Sequence, residues 1–424
     1  MGVHLQTKTP ITPAPSAQPA RAQRPARTAA FAFVFVTVVL DMLAIGIIIP
    51  VLPKLVVDFV GGDAAEGARV YGLFGTAWAL MQFVFSPVQG ALSDRFGRRP
   101  VILLSNLGVG LDYIVMALAP SLGWLFLGRV ISGITAASIS TAYAYVADVT
   151  PPQLRAARFG LLGAGFGIGF VLGPALGGLT GAIDPRLPFW IAAGLSLANA
   201  LYGFFVLPES LPLDRRAPFA WQRANPVGAL TLLWSEAQLI GLAGVNFLGN
   251  LAHAALPSVG VLYMMYRYGW DASTVGLTLA GVGVASIVVQ GGIIGPAVKT
   301  FGERKALIAA LAFGVAGFTV FGLAPTGPVF WLGIPLMALW GLANPSAQAL
   351  MSRRIPAHEQ GQLQGANASL MGVANLIGPG LFTMTFALAI DTAPQWGMPG
   401  APYLLAAILL AVAIVVAALA TKSA

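Results

Sequence analysis

The chain has 424 residues, 57% of them hydrophobic and only 9% charged, with a mean hydropathy of +0.81 and a formal net charge of +8. Soluble domains carry about 25% charged residues, so the composition excludes a water-soluble globule and makes lipid the solvent. The absence of cysteine also excludes disulfides, iron–sulfur clusters and thiolate metal sites.

Residues 1–28 are rich in Pro, Ala, Gln and Arg, contain no acidic residue, and are expected to form a disordered cytoplasmic tail. A membrane-spanning helix takes about 20 apolar residues. Six such runs follow, over 30–57, 70–92, 100–119, 122–147, 158–181 and 187–207. The stretch 208–236, with Pro208, Pro212, Pro218 and Pro226, is a cytoplasmic linker too short for a further domain. Six more runs occupy 237–265, 272–298, 304–324, 329–351, 360–390 and 400–421. Continuous apolar runs of this length are helices, because lipid cannot satisfy an open sheet and the alternation of barrel strands is absent. The fold class is therefore an all-α membrane protein of twelve transmembrane helices in two pseudo-symmetric bundles, 29–207 and 237–424.

With an even number of spans both termini lie on one side. That side carries 18 Lys and Arg, whereas the other carries 4 (Lys54, Arg69, Arg186 and Arg267) and Arg129 falls inside a span. The positive-inside rule places both termini in the cytoplasm. The basic excess is thus accounted for by topology, and nucleic acid is not an expected partner.

The two bundles are copies. Gly90-x3-Asp94-Arg95-Phe96-Gly97-Arg98-Arg99 returns in degenerate form as Gly295-x3-Lys299-Thr300-Phe301-Gly302-Glu303-Arg304, shifted by 205 positions. The same shift carries Leu118-Ala119-Pro120 onto Leu323-Ala324-Pro325, Pro151 onto Pro356 and Gly173-Pro174 onto Gly378-Pro379. Parallel six-helix repeats are an architecture of secondary transporters, with the site near the midplane between halves that rock around it. Lys8 and Lys299 alone among the lysines precede a Thr, and neither has the glycine spacing of a phosphate-binding loop, which leaves an ion gradient as the energy source. An intramembrane enzyme would need a nucleophile–base pair or a ligand set, which one histidine within the spans and no cysteine do not supply.

Gly90, Asp94, Arg95, Gly97, Arg98 and Arg99 together resemble the loop 2–3 signature of the major facilitator superfamily. Gly169-x3-Gly173-Pro174-x2-Gly177-Gly178 resembles the span 5 signature of its proton-driven drug antiporters. Asp41 with Gly46, Pro50 and Pro53, then Gln82, Leu111-Asp112-Tyr113, Gly128-Arg129, Ser132-Gly133-Ile134-Thr135 and His358-Glu359-Gln360-Gly361-x-Leu363-Gln364-Gly365 are similar to the tetracycline-efflux branch. The similarity runs from about residue 31 to residue 390. One departure stands out: counting back from Gln290, Ser286 occupies the span 8 position where such exporters usually carry a histidine. His253 on the neighbouring span is the candidate substitute.

Four strongly ionisable side chains fall clearly within the expected spans, away from their ends: Asp41, Asp112, Arg129 and His253. A charge at the bilayer centre costs about 2.5–3.5 kcal/mol even on lenient scales, so each must face a cavity or a partner. At 1.5 Å per residue, Asp41 lies about 16 Å into span 1 and Asp112 about 18 Å into span 3. A proton and a cationic substrate would compete for such carboxylates. The resemblance implies the same, assigning Asp41, Asp112 and Arg129 to proton coupling. The competing readings are a structural hydrogen-bonded carboxylate at Asp41, a static ion pair between Asp112 and Arg129, and an Arg129 that only ties spans together. Asn246, Asn250 and His253 share one helical face of span 7. With Asp41, Gln82, Asp112, Ser286 and Gln290 they are the candidate substrate cavity, although a polar stripe can also hold helices together. Gly165, Gly169, Gly173 and Gly177 recur at every fourth position and leave a flat stripe beside Pro174, for close packing or for bending. Gly90, Asp94, Arg95, Gly97, Arg98, Gly173 and Pro174 are the candidate gating residues.

The expected protein is a monomeric, multi-pass exporter of the bacterial inner membrane, exchanging protons for a small amphipathic drug. Tetracycline is the implied substrate, with Mg2+ entering only as part of a drug chelate and with no resident cofactor or metal. Proton symport of an organic anion or folate-like solute on the same fold is the alternative.

Overall fold

Hydrocarbon offers no partner for backbone N–H and C=O groups, so a chain dissolved in it closes its hydrogen bonds within helices. The computed structural model describes residues 23–136, 138–216, 233, 237–356, 360–391 and 398–422, and every regular element among them is helical. Span 1 consists of Gln23–Ile48 and Leu52–Phe59, span 2 of Ala64–Phe96, span 3 of Arg98–Leu118, span 4 of Leu122–Thr135 and Ser138–Val149, span 5 of Pro152–Ile183 and span 6 of Leu187–Val206. Span 7 consists of Ala237–His253 and Ala255–Tyr268, and span 8 of Ala272–Val288 prolonged through a π-helical turn at Val289–Ile293. The helix Ile294–Leu323 bends at Gly302 and supplies the end of span 8 and all of span 9. Span 10 consists of Gly327–Trp340 and Ala343–Ser352, span 11 of Gln360–Asp391 and span 12 of Ala401–Ala420.

Ten described segments are long and apolar enough to cross a membrane. One of them, Ala272–Leu323, holds spans 8 and 9, and the less apolar span 2, interrupted by Gln82 and Gln89, completes the set of twelve. The first helix already includes Gln23, inside the stretch expected to be disordered. Ala26, Arg27, Ala29 and Ala30 are strong helix formers, so the helix extends beyond the apolar run. Residues 1–22, most of the linker, His358 and Glu359 lie outside the described residues.

The duplication is visible in the helix breaks. Span 1 breaks after Ile48 and span 7 after His253; span 4 breaks after Thr135 and span 10 after Trp340, in both cases 205 positions apart. Gly97 and Gly302, separated by the same shift, both turn the chain between consecutive spans with φ of +106° and +75°, a region that side chains other than hydrogen rarely adopt.

Between apolar helices in lipid, association rests on how closely the backbones can pack. The glycine stripe of span 5 faces span 1: a Cβ on Gly46 would lie 2.9 Å from Gly173 Cα. The opposite face of span 5 meets span 8, where a Cβ on Gly276 would lie 2.9 Å from Gly178 Cα. Span 2 packs on span 11, with Gly75 against Pro379 and Phe83 against Gly372. The contacts of span 5 with span 8 and of span 2 with span 11 join the two halves. Arg69 bridges to Asp391 at 2.5 Å and the Tyr71 hydroxyl donates to Pro257 O at 3.5 Å, again from one half to the other. All of them lie midway along the spans or toward the face opposite the chain ends. Gly90, Gly160, Gly163, Gly291, Gly292 and Gly295, nearer the chain ends, have open space where a side chain would sit. The contacts named here between the halves thus leave out the face of the chain ends.

Asp271 caps span 8, accepting from Thr274 N at 3.0 Å and from the Ser273 hydroxyl at 2.6 Å. These hydrogen bonds, that of Ser273 first and those of Thr274 next, pull its carboxyl down to about 2. A folded-state value below the unfolded one means that the stabilisation is complete above about pH 4 and is lost as pH falls toward 2. Asp271→Ala should cost about 0.5–2 kcal/mol at neutral pH. Thermal unfolding of the detergent-solubilised protein measures this. Gly173→Leu should overpack the contact with span 1, cost about 1–3 kcal/mol and lower the unfolding temperature, whereas Gly163→Leu at an open position should leave it unchanged. Equal effects of the two glycine substitutions would refute the close-approach account.

Candidate functional site

Asp41 lies one helical turn after Thr37 in span 1 and is 8% exposed. Asn199 of span 6 donates through Nδ2 to Asp41 Oδ1 at 2.9 Å and to Thr37 O at 3.1 Å. Asn106 of span 3, with its amide oriented by its neighbours, donates to Asp41 Oδ1 at 3.1 Å and Oδ2 at 3.3 Å and accepts from Asn199 at 3.1 Å. Two neutral amides thus hold the carboxylate at the meeting point of spans 1, 3 and 6. That arrangement compensates the loss of water around a buried acid. Neither asparagine is among the residues singled out from sequence, although each is a lone amide in an apolar run.

Asp112 is the opposite case. Six residues beyond Asn106 it has turned to another face of span 3, it is fully buried, and neither carboxylate oxygen has a hydrogen-bond partner. Its surroundings explain the neighbouring motif: a Cβ on Gly128 would fall 2.6 Å from Asp112 Oδ1, so glycine makes room for the acid. Ser132 and Arg129 of span 4 are its polar neighbours. No ion pair closes within 4.0 Å between Asp112 and Arg129, which removes the static-pair reading in this conformation. The half-buried Arg129 instead places its guanidinium over the Trp78 ring at 5.5 Å, a cation–π contact between spans 4 and 2.

In the other half, Asn246, Asn250 and His253 line one cavity of about 140 Å³ together with Trp340 and Asn344 of span 10 and Leu311 of span 9. Asn246 is committed to packing, donating to Asn367 Oδ1 at 3.2 Å and to Met351 Sδ at 3.3 Å. Asn250 donates to Asn246 O at 2.8 Å, and its carbonyl oxygen remains for the cavity. His253 is exposed there, 5.8 Å from the Trp340 ring centroid. Gln82, half-buried on span 2, Ser286, half-buried on span 8, and Gln290, exposed within the π-helical turn, are not among the cavity's lining residues.

The gating candidates divide. Gly173 and Pro174 sit in the span 5 contacts with spans 1 and 8. Arg98 bridges to Asp94 at 2.5 Å and to Asp148 of span 4 at 3.2 Å, and donates to the Ser93 hydroxyl at 2.7 Å. Arg95 is exposed over Phe96, and Gly90 faces open space. Glu209, after span 6, accepts from Arg98 N at 2.9 Å and Arg99 N at 3.3 Å, a negative charge on the positive end of the span 3 helix. Gly97 is required beside it, since a Cβ would lie 2.7 Å from Glu209 Cδ. These charges are therefore spent within the N-terminal half in this state. Glu209 and Asp148 carry no motif of their own, and only the folded chain brings them to Arg98.

Comparison with known proteins agrees with this architecture. Residues 34–379 match the Major Facilitator Superfamily. The chain is 41% identical over 361 residues to the Escherichia coli tetracycline resistance protein, class C, covering 84% of this chain and 89% of that protein. It is 37% identical over 352 residues to the class D protein of Salmonella ordonez, covering 83% and 88%. Among solved structures, the human organic anion transporter MFSD10 (TETRAN) superposes with a TM-score of 0.69 at 25% identity, covering 94% of this chain and 100% of that one.

Replacing Asn199 by Leu strips a donor from a buried carboxylate and should destabilise the protein by about 1–3 kcal/mol. Asp41→Asn in the Asn199→Leu background should recover part of the loss by removing the charge. Thermal unfolding in detergent reads both; an unchanged midpoint for Asn199→Leu would show that the amide does not hold the acid.

Proposed function

Because the chain belongs to the Major Facilitator Superfamily, we propose that it exports tetracycline from the bacterial cytoplasm in exchange for protons, as a monomer of the inner membrane. The observation that carries the coupling is Asp112, a fully buried acid between spans 3 and 4 with only the Ser132 hydroxyl and the Arg129 guanidinium as polar neighbours. An acid in that setting exchanges a proton for a cation as its companion. The tetracycline resistance proteins to which the chain is 41% and 37% identical support the choice of drug. Uptake of an organic anion would call for fixed cations around the substrate, and the cavity of the C-terminal half is lined by no Lys or Arg.

The distribution of the basic residues supports chain ends on the cytoplasmic side. The face without these contacts between the halves is then the cytoplasmic one, and the drug enters from there, as the free molecule or as its Mg2+ chelate. Closure of that face and separation of the Arg69–Asp391 face expose the site outward, where a proton on Asp112 displaces the drug. Asp41, tied to spans 3 and 6, transmits its charge state to three helices at once. One proton moving through 100 mV supplies about 2.3 kcal/mol, roughly a fiftyfold concentration ratio.

Respiring everted vesicles should take up tetracycline and release lumenal protons when the drug is added, seen as dequenching of an acidity-sensitive dye. Asp112→Asn should abolish drug-dependent proton release by at least tenfold. Drug uptake that persists in Asp112→Asn with unchanged proton release would sink the assignment of coupling.

A further inference from the structure

The two breaks of the C-terminal half meet each other. His253 ends the first helix of span 7, Trp340 ends the first helix of span 10, and both stand at the middle of their spans. At the span 10 break the chain tightens, with Gly341 N donating to Ala338 O at 3.0 Å and Leu342 N to Leu339 O at 3.2 Å, before the helix resumes at Ala343. Interrupted helices facing one another near the midplane are where transporters of this architecture build substrate sites.

Trp340 is braced from behind. Phe318 packs edge-on to it with ring centroids 5.5 Å apart, and Gly314 lies beneath it so closely that a Cβ there would come within 2.8 Å of the indole. Only 8% of Trp340 is exposed, so its orientation is fixed while it still borders the cavity beside His253. Asn344, one turn beyond, is exposed and borders the same cavity. The lining contains amides, one imidazole and one indole, but no carboxylate, Lys or Arg.

We propose that Trp340 and Asn344 are specificity-determining residues, and that this cavity receives the flat, uncharged, hydrogen-bonding ring face of the transported drug. Trp340 supplies a rigid apolar wall at small entropic cost, and Asn344, with the free carbonyl of Asn250, supplies direction through hydrogen bonds. The positive part of the drug or of its chelate is left to the acids of the N-terminal half. Recognition and proton coupling are thereby carried by different halves of the molecule. This assignment rests on the proposed export of tetracycline and names the residues that would select it.

The test is tetracycline uptake with Mg2+ into everted vesicles by the full-length parent, Trp340→Ala, Trp340→Phe and Asn344→Ala, with expression matched. Trp340→Ala should raise KM about tenfold, the scale of losing an aromatic anchor, with kcat and the proton release per drug within about twofold of the parent. Trp340→Phe should recover most of that loss. Asn344→Ala, which removes no packing, should raise KM about threefold or more and decides the matter if Trp340→Ala does not fold. An active parent whose KM is unchanged in Asn344→Ala, or in a folded Trp340→Ala, overturns this assignment alone. A parent that carries no tetracycline overturns the export reading and this assignment with it.

Discussion

Water is missing from the middle of the bilayer, and every polar side chain placed there must be answered by the protein itself. That constraint sorts the few polar residues of this chain into two kinds. Asp41 is answered fully, by Asn106 and Asn199 from two other spans, and so binds spans 1, 3 and 6 to one another. Asp112 has no such cradle, with Ser132 and Arg129 of span 4 as its polar neighbours, and Gly128 leaves it room. A protein that kept both acids only for stability would have no reason to treat them so differently. On the proposed mechanism the less satisfied one is where the proton is exchanged.

The two halves share a mould and differ in chemistry. Breaks after Ile48 and Thr135 return after His253 and Trp340, and the turn glycines Gly97 and Gly302 have the same unusual backbone hand. At the same shift Asp41 becomes Asn246, Asp112 becomes Gly317 and Arg129 becomes Ile334. One break pair therefore sits in a half furnished with carboxylates and a guanidinium, the other in a half furnished with amides, an imidazole and an indole. Duplication kept the hinges and let the functional groups diverge.

Span number, span order and the repeat were legible in the sequence because membrane helices advertise themselves by length and apolarity. Asn246, Asn250 and His253 were legible as one face because helical spacing is a local property. The cavity they share with Trp340 was not, because span 10 lies some ninety residues further along and nothing in either segment names the other. Gln82, Ser286 and Gln290 were grouped with them from the sequence, and they do not line that cavity in this conformation. The Asp41 cradle shows a different gap. Asn106 and Asn199 were visible as isolated amides, yet an amide in an apolar run gives no sign of which buried acid it serves. Pro50 marks the break in span 1, whereas Ala254 and Gly341–Leu342 break their spans with no proline at the break itself.

The closed face holds one ion pair between the halves among the described residues, Arg69 with Asp391, and both partners are substantially exposed. Such an exposed pair is screened by solvent and weak, so closure there is a matter of close packing at Gly178 and Gly276 and at Gly75 and Pro379. Dispersion forces of that kind fade within a fraction of an ångström. A seal built from them does not loosen gradually as a spring would: it stays tight or parts altogether, and a molecule that must never leak protons through a half-open gate is well served by a latch of such short range.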